Sequence, residues 1–423
     1  MSLERKYTEL YATYAERIGR GFAPALNARR RALLDDFLFG GVPDTKGEKY
    51  RYTDMRAIFG RELSLPSEDE SSTAGREGVL ALTNGAFADG EALSVRADGV
   101  VAGSLKAASV DYEPLVLRHL NSVATNKSDG LTALGGAMMA DGLFVYVPRG
   151  VDAGRIEAEF LYDTAREDDV IFSRLLVVME PQGRAELLVR LRGRDRNRLV
   201  VNHISEIIVG AGAKLQVSEA AHFGEGNAAF TASYGSVAGD GALDRVFVAL
   251  GGATVRANYH CDLTQPGAQN SLYGLFMGAD RERSDIYSEI NHLAPSCSSY
   301  QMVKGVAGDE ASGVFTGRIY VAPGADGTSA MQQSRNLLLT PAARIVTAPQ
   351  LEIYAEDVQC SHGASVGRLD EEAVYYMRQR GLDEAQAKAL QMTGFVDDIV
   401  SRCGDADFIE EIYNMSAGKI SRI

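Results

Sequence analysis

The spacing of apolar positions divides the chain into three stretches. In the first, Leu3, Tyr7, Leu10, Tyr11, Tyr14 and Ile18 recur at three- and four-residue steps, the period of one helix face, which predicts a helix. A second helical run follows Pro24, with Leu26, Leu33, Leu34, Phe37 and Leu38 as its stripe. Pro24 suits a first-turn position, and Gly40, Gly41 and Pro43 stop the run. The polar stretch 66–75 reads as a linker or exposed loop.

From about residue 78 to residue 358 the pattern changes to strand-length apolar runs bounded by glycine and other turn residues. Examples are Leu143 to Val147, 175–178, 187–189 and 207–209. No helix of ordinary length alternates with them in the middle of this span, which favours an all-β architecture over βαβ units. Glycines that precede apolar pairs stand at Gly183, Gly212 and Gly241, 29 residues apart, and another stands at Gly267, 26 residues on. A β-solenoid that turns at glycine in each coil produces such a period. A β-sandwich, whose hairpins also repeat turns, remains open at this point.

After residue 367 the helical period returns. Asp370 suits a helix N-cap, with Glu371 and Glu372 in the first turn at the positive end of the dipole. Arg378 and Arg380 lie near the end of that helix, and Gly381 stops it. Asp383 caps a second helix with Ala387 and Leu390 on its buried side, and Phe408, Ile409, Ile412 and Tyr413 mark a third. The expected organisation is a helical segment and linker at 1–77, a β core at 78–366 and a small helical bundle at 367–423.

The length of 423 residues is enough for two or three domains or one large β domain. A formal charge of −14 argues against a nucleic-acid binder that works by overall charge. Cys261, Cys297, Cys360 and Cys403 are widely spread and include no CxxC, so neither a disulfide framework nor a paired-cysteine zinc site is predicted. The first residues contain no apolar signal-like run, and no stretch approaches the length of a membrane span. The expected compartment is the reducing cytoplasm.

The chemistry-bearing residues are few. The six histidines form no HExxH, there is no GxxxxGK[ST] loop for ATP, and no GxSxG elbow marks a nucleophilic serine. His260 and Cys261 are adjacent, so in a strand they point to opposite faces and cannot readily share an ion. Cys360 and His362, two residues apart, share a face if the chain is extended. Thiolate and imidazole both suit iron or zinc, but two ligands need others to complete a site, for instance from a second subunit. The carboxylate pairs Asp309–Glu310 and Asp397–Asp398 are candidates for glycosidase-type acid–base work, weighed against solvated turns and helix faces.

The stretch LEIYAEDVQCSHGASVGRLDEEAVYYMRQRGL (351–382) resembles the C-terminal signature of the SufB/SufD family of iron–sulfur cluster assembly proteins. RNLLLTPAARIVTAPQLEIYAEDV (335–358), GVFTGRIYVAPGADGT (313–328) and INHLAPSCSSYQMVKGV (290–306) match the same family, so the resemblance is nearly continuous over 290–382. DGLFVYVPRGV (141–151) is a weaker echo, and GEKYRYTDM (47–55) resembles a WKYTDL element typical of SufD, with tyrosine in place of tryptophan. The length, the lack of an N-terminal cysteine cluster and the sequence CSHGAS at 360–365 are most like SufD; SufB tends to have histidine followed by glutamate where this chain has His362 and Gly363.

The resemblance implies a right-handed parallel β-helix flanked by N- and C-terminal helices. It implies a non-catalytic scaffold subunit of a SufB–SufC–SufD complex, alternatively a SufB-like cluster carrier. A carbohydrate-active enzyme is the reading from another class. The implied partners are a SufC-type ABC ATPase, which hydrolyses the ATP and docks on the C-terminal helices, and a SufB-type paralogue paired through the β-helices. Iron or a nascent cluster is expected at that shared interface, with His362 and, less centrally, Cys360 as its contacts. Tyr376, Met377, Leu390 and Met392 are the expected contacts of the ATPase. A homodimer of the isolated chain and flavin binding are both left open by the sequence.

Overall fold

The computed structural model describes residues 2–67, 76–87, 93–124, 129–194 and 198–421. Most of the expected linker at 66–75 therefore lies outside the described residues. The chain opens with α1 (Leu3–Gly19), whose N-cap Ser2 accepts from Arg5 N–H, and α2 (Pro24–Gly40), with Pro24 in its first turn. Gly41, at φ 66°, ends α2 in a conformation open to glycine. A single 3₁₀ turn (Glu48–Tyr50) leads to the short α3 (Met55–Phe59). Tyr7 packs edge-on against Phe37 at 6.2 Å and donates its hydroxyl to Phe59 O at 2.9 Å, which ties α1 to α2 and α3.

Strands β1 (Val79–Thr83), β2 (Ala86–Phe87), β3 (Leu93–Val95) and β4 (Val101–Ser104) follow. Three helices then interrupt the expected β stretch: α4 (Leu105–Asp111), α5 (Glu113–His119) and α6 (Gly130–Met138). The sequence reading missed them for a physical reason. Two are only seven residues long, and every residue of α6 is buried, so no polar face gives the pattern a helical period.

The remaining strands are β5 (Leu143–Val147), β6 (Asp152–Tyr162), β7 (Val170–Met179), β8 (Arg184–Gly193), β9 (Val200–Val209), β10 (Lys214–His222), β11 (Ala228–Val237), β12 (Ala242–Leu250), β13 (Thr254–Leu263), β14 (Gln269–Gly278), β15 (Arg283–His292), β16 (Ser298–Ala307), β17 (Ser312–Val321), β18 (Thr328–Leu338), β19 (Arg344–Ile353) and β20 (Val358–Gly367). They alternate between two sheets. From β6 the even-numbered strands pair in parallel up to β20, and from β5 the odd-numbered strands do so up to β19. The architecture is therefore a parallel β-solenoid, and the antiparallel sandwich is excluded. Between the sheets, residues such as Val177, Leu191, Val201, Phe247 and Phe276 stack from coil to coil in one core, each fully buried large apolar side chain contributing roughly 1.5–3 kcal/mol.

The glycine period has a structural cause. One corner of successive coils carries a residue with positive φ at Gly150, Gln182, Gly212, Asp240, Gly267, Ser296 and Gly327. Backbone N–H groups of this column donate to the next coil, as Gln182 N to Ala211 O at 2.9 Å and Gly212 N to Gly239 O at 2.8 Å. Gly212 and Gly267 occupy the left-handed position themselves; Gly183 and Gly241 follow Gln182 and Asp240, which adopt it in those coils.

After β20 come α7 (Glu371–Gln379), α8 (Glu384–Val400) and α9 (Ala406–Ile420). Asp370 caps α7, and Asp383 forms a capping box with Gln386 on α8. The bundle does not stand alone. Val396, Ile399, Phe408 and Ile412 pack on the outer face of the even-numbered sheet, against Leu188, Val246, Val248 and Leu275. Lys304 on β16 adds a hydrogen bond to Phe395 O at 2.7 Å.

Candidate functional site

Among the described residues no strand continues the solenoid beyond β19 and β20. β19 and β20 are the outermost strands of their sheets, and their residues are half-buried or exposed, where those of β15 and β17 are largely buried. The terminal strand β20 runs through Gly363 to Gly367, close to the expected end of the β core, so His362 lies mid-strand. The small polar residues of CSHGAS have low strand propensity, and pairing to β18 overrides it.

The register sets the directions of the side chains. Cys360 pairs with Ala330 and His362 with Gln332, both fully buried inward-facing residues of β18. Residues in register in a parallel pair project to the same face, so Cys360 and His362 both face the interior of the last coil, which no further coil covers among the described residues. His362 is exposed and lines a groove of about 320 Å³ with Met331, Gln332, Arg335, Ser361 and Ser365. Cys360 is half-buried among Val321, Ala330 and Leu351. Burial pushes its thiol above the usual range, which disfavours the thiolate that binds metal. Among the described residues no three His, Cys, Asp or Glu side chains converge as a metal set. An exposed imidazole can serve as one metal donor, but on its own it does not make a coordination shell.

The other sequence candidates fall into structural roles. Cys261 is in the solenoid core, and His260 faces outward from the same strand, stacked on Tyr234 at 4.9 Å between ring centres. Asp398 pairs with Lys304 at 2.5 Å, which holds its carboxyl below the usual range, and Asp397 accepts from Tyr413. Asp309 and Glu310 sit on a solenoid turn, where Glu310 pairs with Arg281 at 3.1 Å. Of the residues expected at an ATPase interface, Tyr376 is exposed at 59% and Leu390 at 56%, so Leu390 is not on the buried side of α8 where Ala387 is; Met377 is half-buried, and Met392 is buried in the bundle core. Tyr375, beside Tyr376, adds a 65% exposed ring that the sequence reading did not single out.

The GEKYRYTDM element proves to be a strap across the outside of the odd-numbered sheet. Glu48 accepts from Gln350 on β19, Tyr50 OH accepts from Asn258 on β13 at 2.9 Å, and Thr53 Oγ1 donates to Asp285 on β15 at 2.5 Å. Arg256 on β13 pairs with Asp285 at 2.6 Å and donates to Lys49 O at 2.7 Å. The sequence reading missed this polar layer. Its only signal is Arg256, Asn258 and His260 at alternate positions of β13, which marks an outer face without saying that it is covered.

Comparison with known proteins adds what geometry alone does not. A family model described as the SUF system FeS cluster assembly SufBD core domain matches residues 161–395, more than half of the chain. The chain belongs to the SufBD family. A second model, the SufBD protein N-terminal region, matches residues 1–156. The iron–sulfur cluster assembly protein SufD of Escherichia coli is 34% identical over 38% of this chain and 38% of its own length. A SufBD family protein of Mycobacterium leprae is 32% identical over 47% of this chain and 52% of its own length, and SufD of Bacillus subtilis is 27% identical over 72% and 70%. The chain thus spans about half the length, or less, of the first two of these relatives. SufBD proteins are assembly proteins of the iron–sulfur system, and the SufBD core model spans both the open coil with His362 and helix α7.

Proposed function

We propose that this chain is a SufD-like scaffold subunit that works with a SufB-type paralogue and a SufC-type ATPase in iron–sulfur cluster assembly. The observation that carries the reading is the uncovered last coil: two unpaired strand edges with an exposed histidine on the inward face between them. A second solenoid placed there would add strands to both sheets. It would enclose His362 in a shared cavity and supply the ligands that this chain lacks. Iron or a nascent cluster is the cargo, with His362 as this chain's ligand and Cys360 as a neighbouring thiol. ATP hydrolysis belongs to the partner, and the helical bundle at 367–423 is the part that receives it.

Replacing His362 with alanine is expected to leave the fold and complex assembly intact, because the exposed side chain packs little against the core. Iron per reconstituted complex should fall by roughly tenfold, a loss on the scale that ligand-shell changes produce. Cys360→Ala should lower it less. Melting temperature and bound iron measured on the same preparations test this. Full assembly with unchanged iron would remove His362 from the site.

Tyr376 and Leu390 are the exposed apolar side chains of α7 and α8 among the expected ATPase contacts. The double variant Tyr376→Ser/Leu390→Ser should weaken binding of the cognate ATPase by about 2 kcal/mol or more, as interface anchors do, with the melting temperature kept. Isothermal titration with the purified ATPase reads this, and undiminished affinity would move the docking surface elsewhere.

A further inference from the structure

Gln332 lies on β18, next to His362 in the sheet register, and is fully buried beneath the groove. Its amide nitrogen donates to Gln301 Oε1 of the preceding coil at 3.1 Å, and the same oxygen receives the Ser288 hydroxyl at 2.6 Å. The amide is thus anchored on its nitrogen side. Its Oε1 is buried and has no hydrogen-bond partner. A buried acceptor left in this way is costly, so a donor is called for. Room for the amide is made by Gly317 on β17: a Cβ there would stand 2.2 Å from Gln332 Nε2.

We propose that Gln332 is the positioning residue of His362. Its Oε1 accepts the N–H of one imidazole nitrogen, fixes the tautomer, and turns the other nitrogen, with its lone pair, to the groove. An imidazole on an otherwise open strand has many rotamers, and a neutral ring carries its proton on either nitrogen. A buried acceptor at the adjacent register position removes both freedoms, as hydrogen-bonded partners of metal-ligating histidines do. Gln301 and Ser288 in turn hold Gln332 from deeper coils, so the orientation is set by the solenoid interior. The part of this inference that concerns metal rests on the function proposed above; the hydrogen bond itself does not.

The test uses the full chain labelled with ¹⁵N-histidine, free of metal, at a pH where the imidazole is neutral. One tautomer of His362 is expected in the wild type. Gln332→Leu should give the mixed tautomers of a free imidazole, and Gln332→Glu, which keeps an acceptor, should restore one. Gly317→Ala, which displaces the amide without removing it, should also mix the tautomers. Co²⁺ titrated onto the same samples, read by broadening of the His362 resonances, should bind roughly tenfold more weakly to Gln332→Leu. Mixed tautomers in the wild type, or a ratio unchanged by Gln332→Leu in a folded sample, would overturn the proposal. A tautomer set by Gln332 with no Co²⁺ response in any variant would keep the hydrogen bond and count against the metal role of His362.

Discussion

Glu206→Ala is expected to destabilise the protein by about 3–5 kcal/mol, the range for breaking a buried ion pair by removing one partner. Glu206 lies on β9 and pairs with Arg174 on β7, and both side chains are fully buried. Its carboxylate also accepts from the backbone N–H groups of Asn121 at 2.7 Å and of Val123 and Ala124 at 3.1 Å. Alanine there leaves a guanidinium without its counter-charge and three backbone donors without an acceptor, in a place that water does not reach. Arg174 holds the same turn from the other side, donating to Asn121 Oδ1 at 2.8 Å. The pair thus fastens the turn after α5 to the solenoid wall. Urea unfolding measures the loss. The double variant Glu206→Leu/Arg174→Met should lose markedly less than the two single variants together, because no buried charge is stranded. A loss below about 1 kcal/mol for Glu206→Ala would show that the pair is not what holds the turn.

Acid should destabilise the fold through His203, with a loss of about 2 kcal/mol between about pH 7 and about pH 5 from this residue alone. His203 faces the solenoid interior, edge-on to Phe160 at 4.8 Å, with Nδ1 at 2.8 Å from Ser173 Oγ and Nε2 at 3.1 Å from Ser205 Oγ. Burial, with a smaller push from the Arg174 charge, lowers its pKa to about 3. The unfolded chain has a histidine of pKa about 6.5. Below that value the unfolded state takes up a proton that the folded state refuses, so stability falls with pH until the folded pKa is reached. By about pH 3.5 the loss amounts to about 4 kcal/mol. His292, lowered to about 4 by burial, acts in the same direction. Glu219 acts in the opposite one: burial raises it to about 7, so its contribution is present at low pH and is lost as pH rises through that value. The comparison that isolates His203 is with His203→Gln, whose hydroxyl partners remain served. The stability gap between the two proteins should narrow by about 2 kcal/mol over that pH interval. Parallel curves below pH 6.5 would mean that His203 takes up its proton in the folded state.

Much of this architecture was legible because elements announce themselves where one face is wet. The stripes of α1 and α2 and the acidic caps of α7 and α8 gave those helices near their true places. The solenoid was legible from its corners, since a left-handed residue in each coil favours glycine at a fixed period. Its interior was not. His203, Arg245, Gln301 and Gln332 face inward yet look, in the sequence, like the solvent side of alternating strands. Single-sequence alternation cannot tell a wet face from a buried polar column. At the candidate site the expected end of the β core fell close to the end of β20, and the histidine was legible through the family motif. The buried orphan oxygen beside it has no sequence signal, because it depends on a register between positions 30 residues apart.

The open coil has a consequence for the supply of the protein. Edge strands are normally guarded by charge, proline or a covering element. β19 has Arg344, Pro349 and Glu352, but β20, VQCSHGASVG, carries no lysine, arginine, aspartate, glutamate or proline. Within β20 no charged or proline residue repels another strand, so under the proposed function the edge offered to a paralogue is equally open to a second copy of this chain. If the function proposed above holds, a chain with this edge is safest when the paralogue that covers it is made in step, and an excess of the chain alone is expected to self-pair at the same edge.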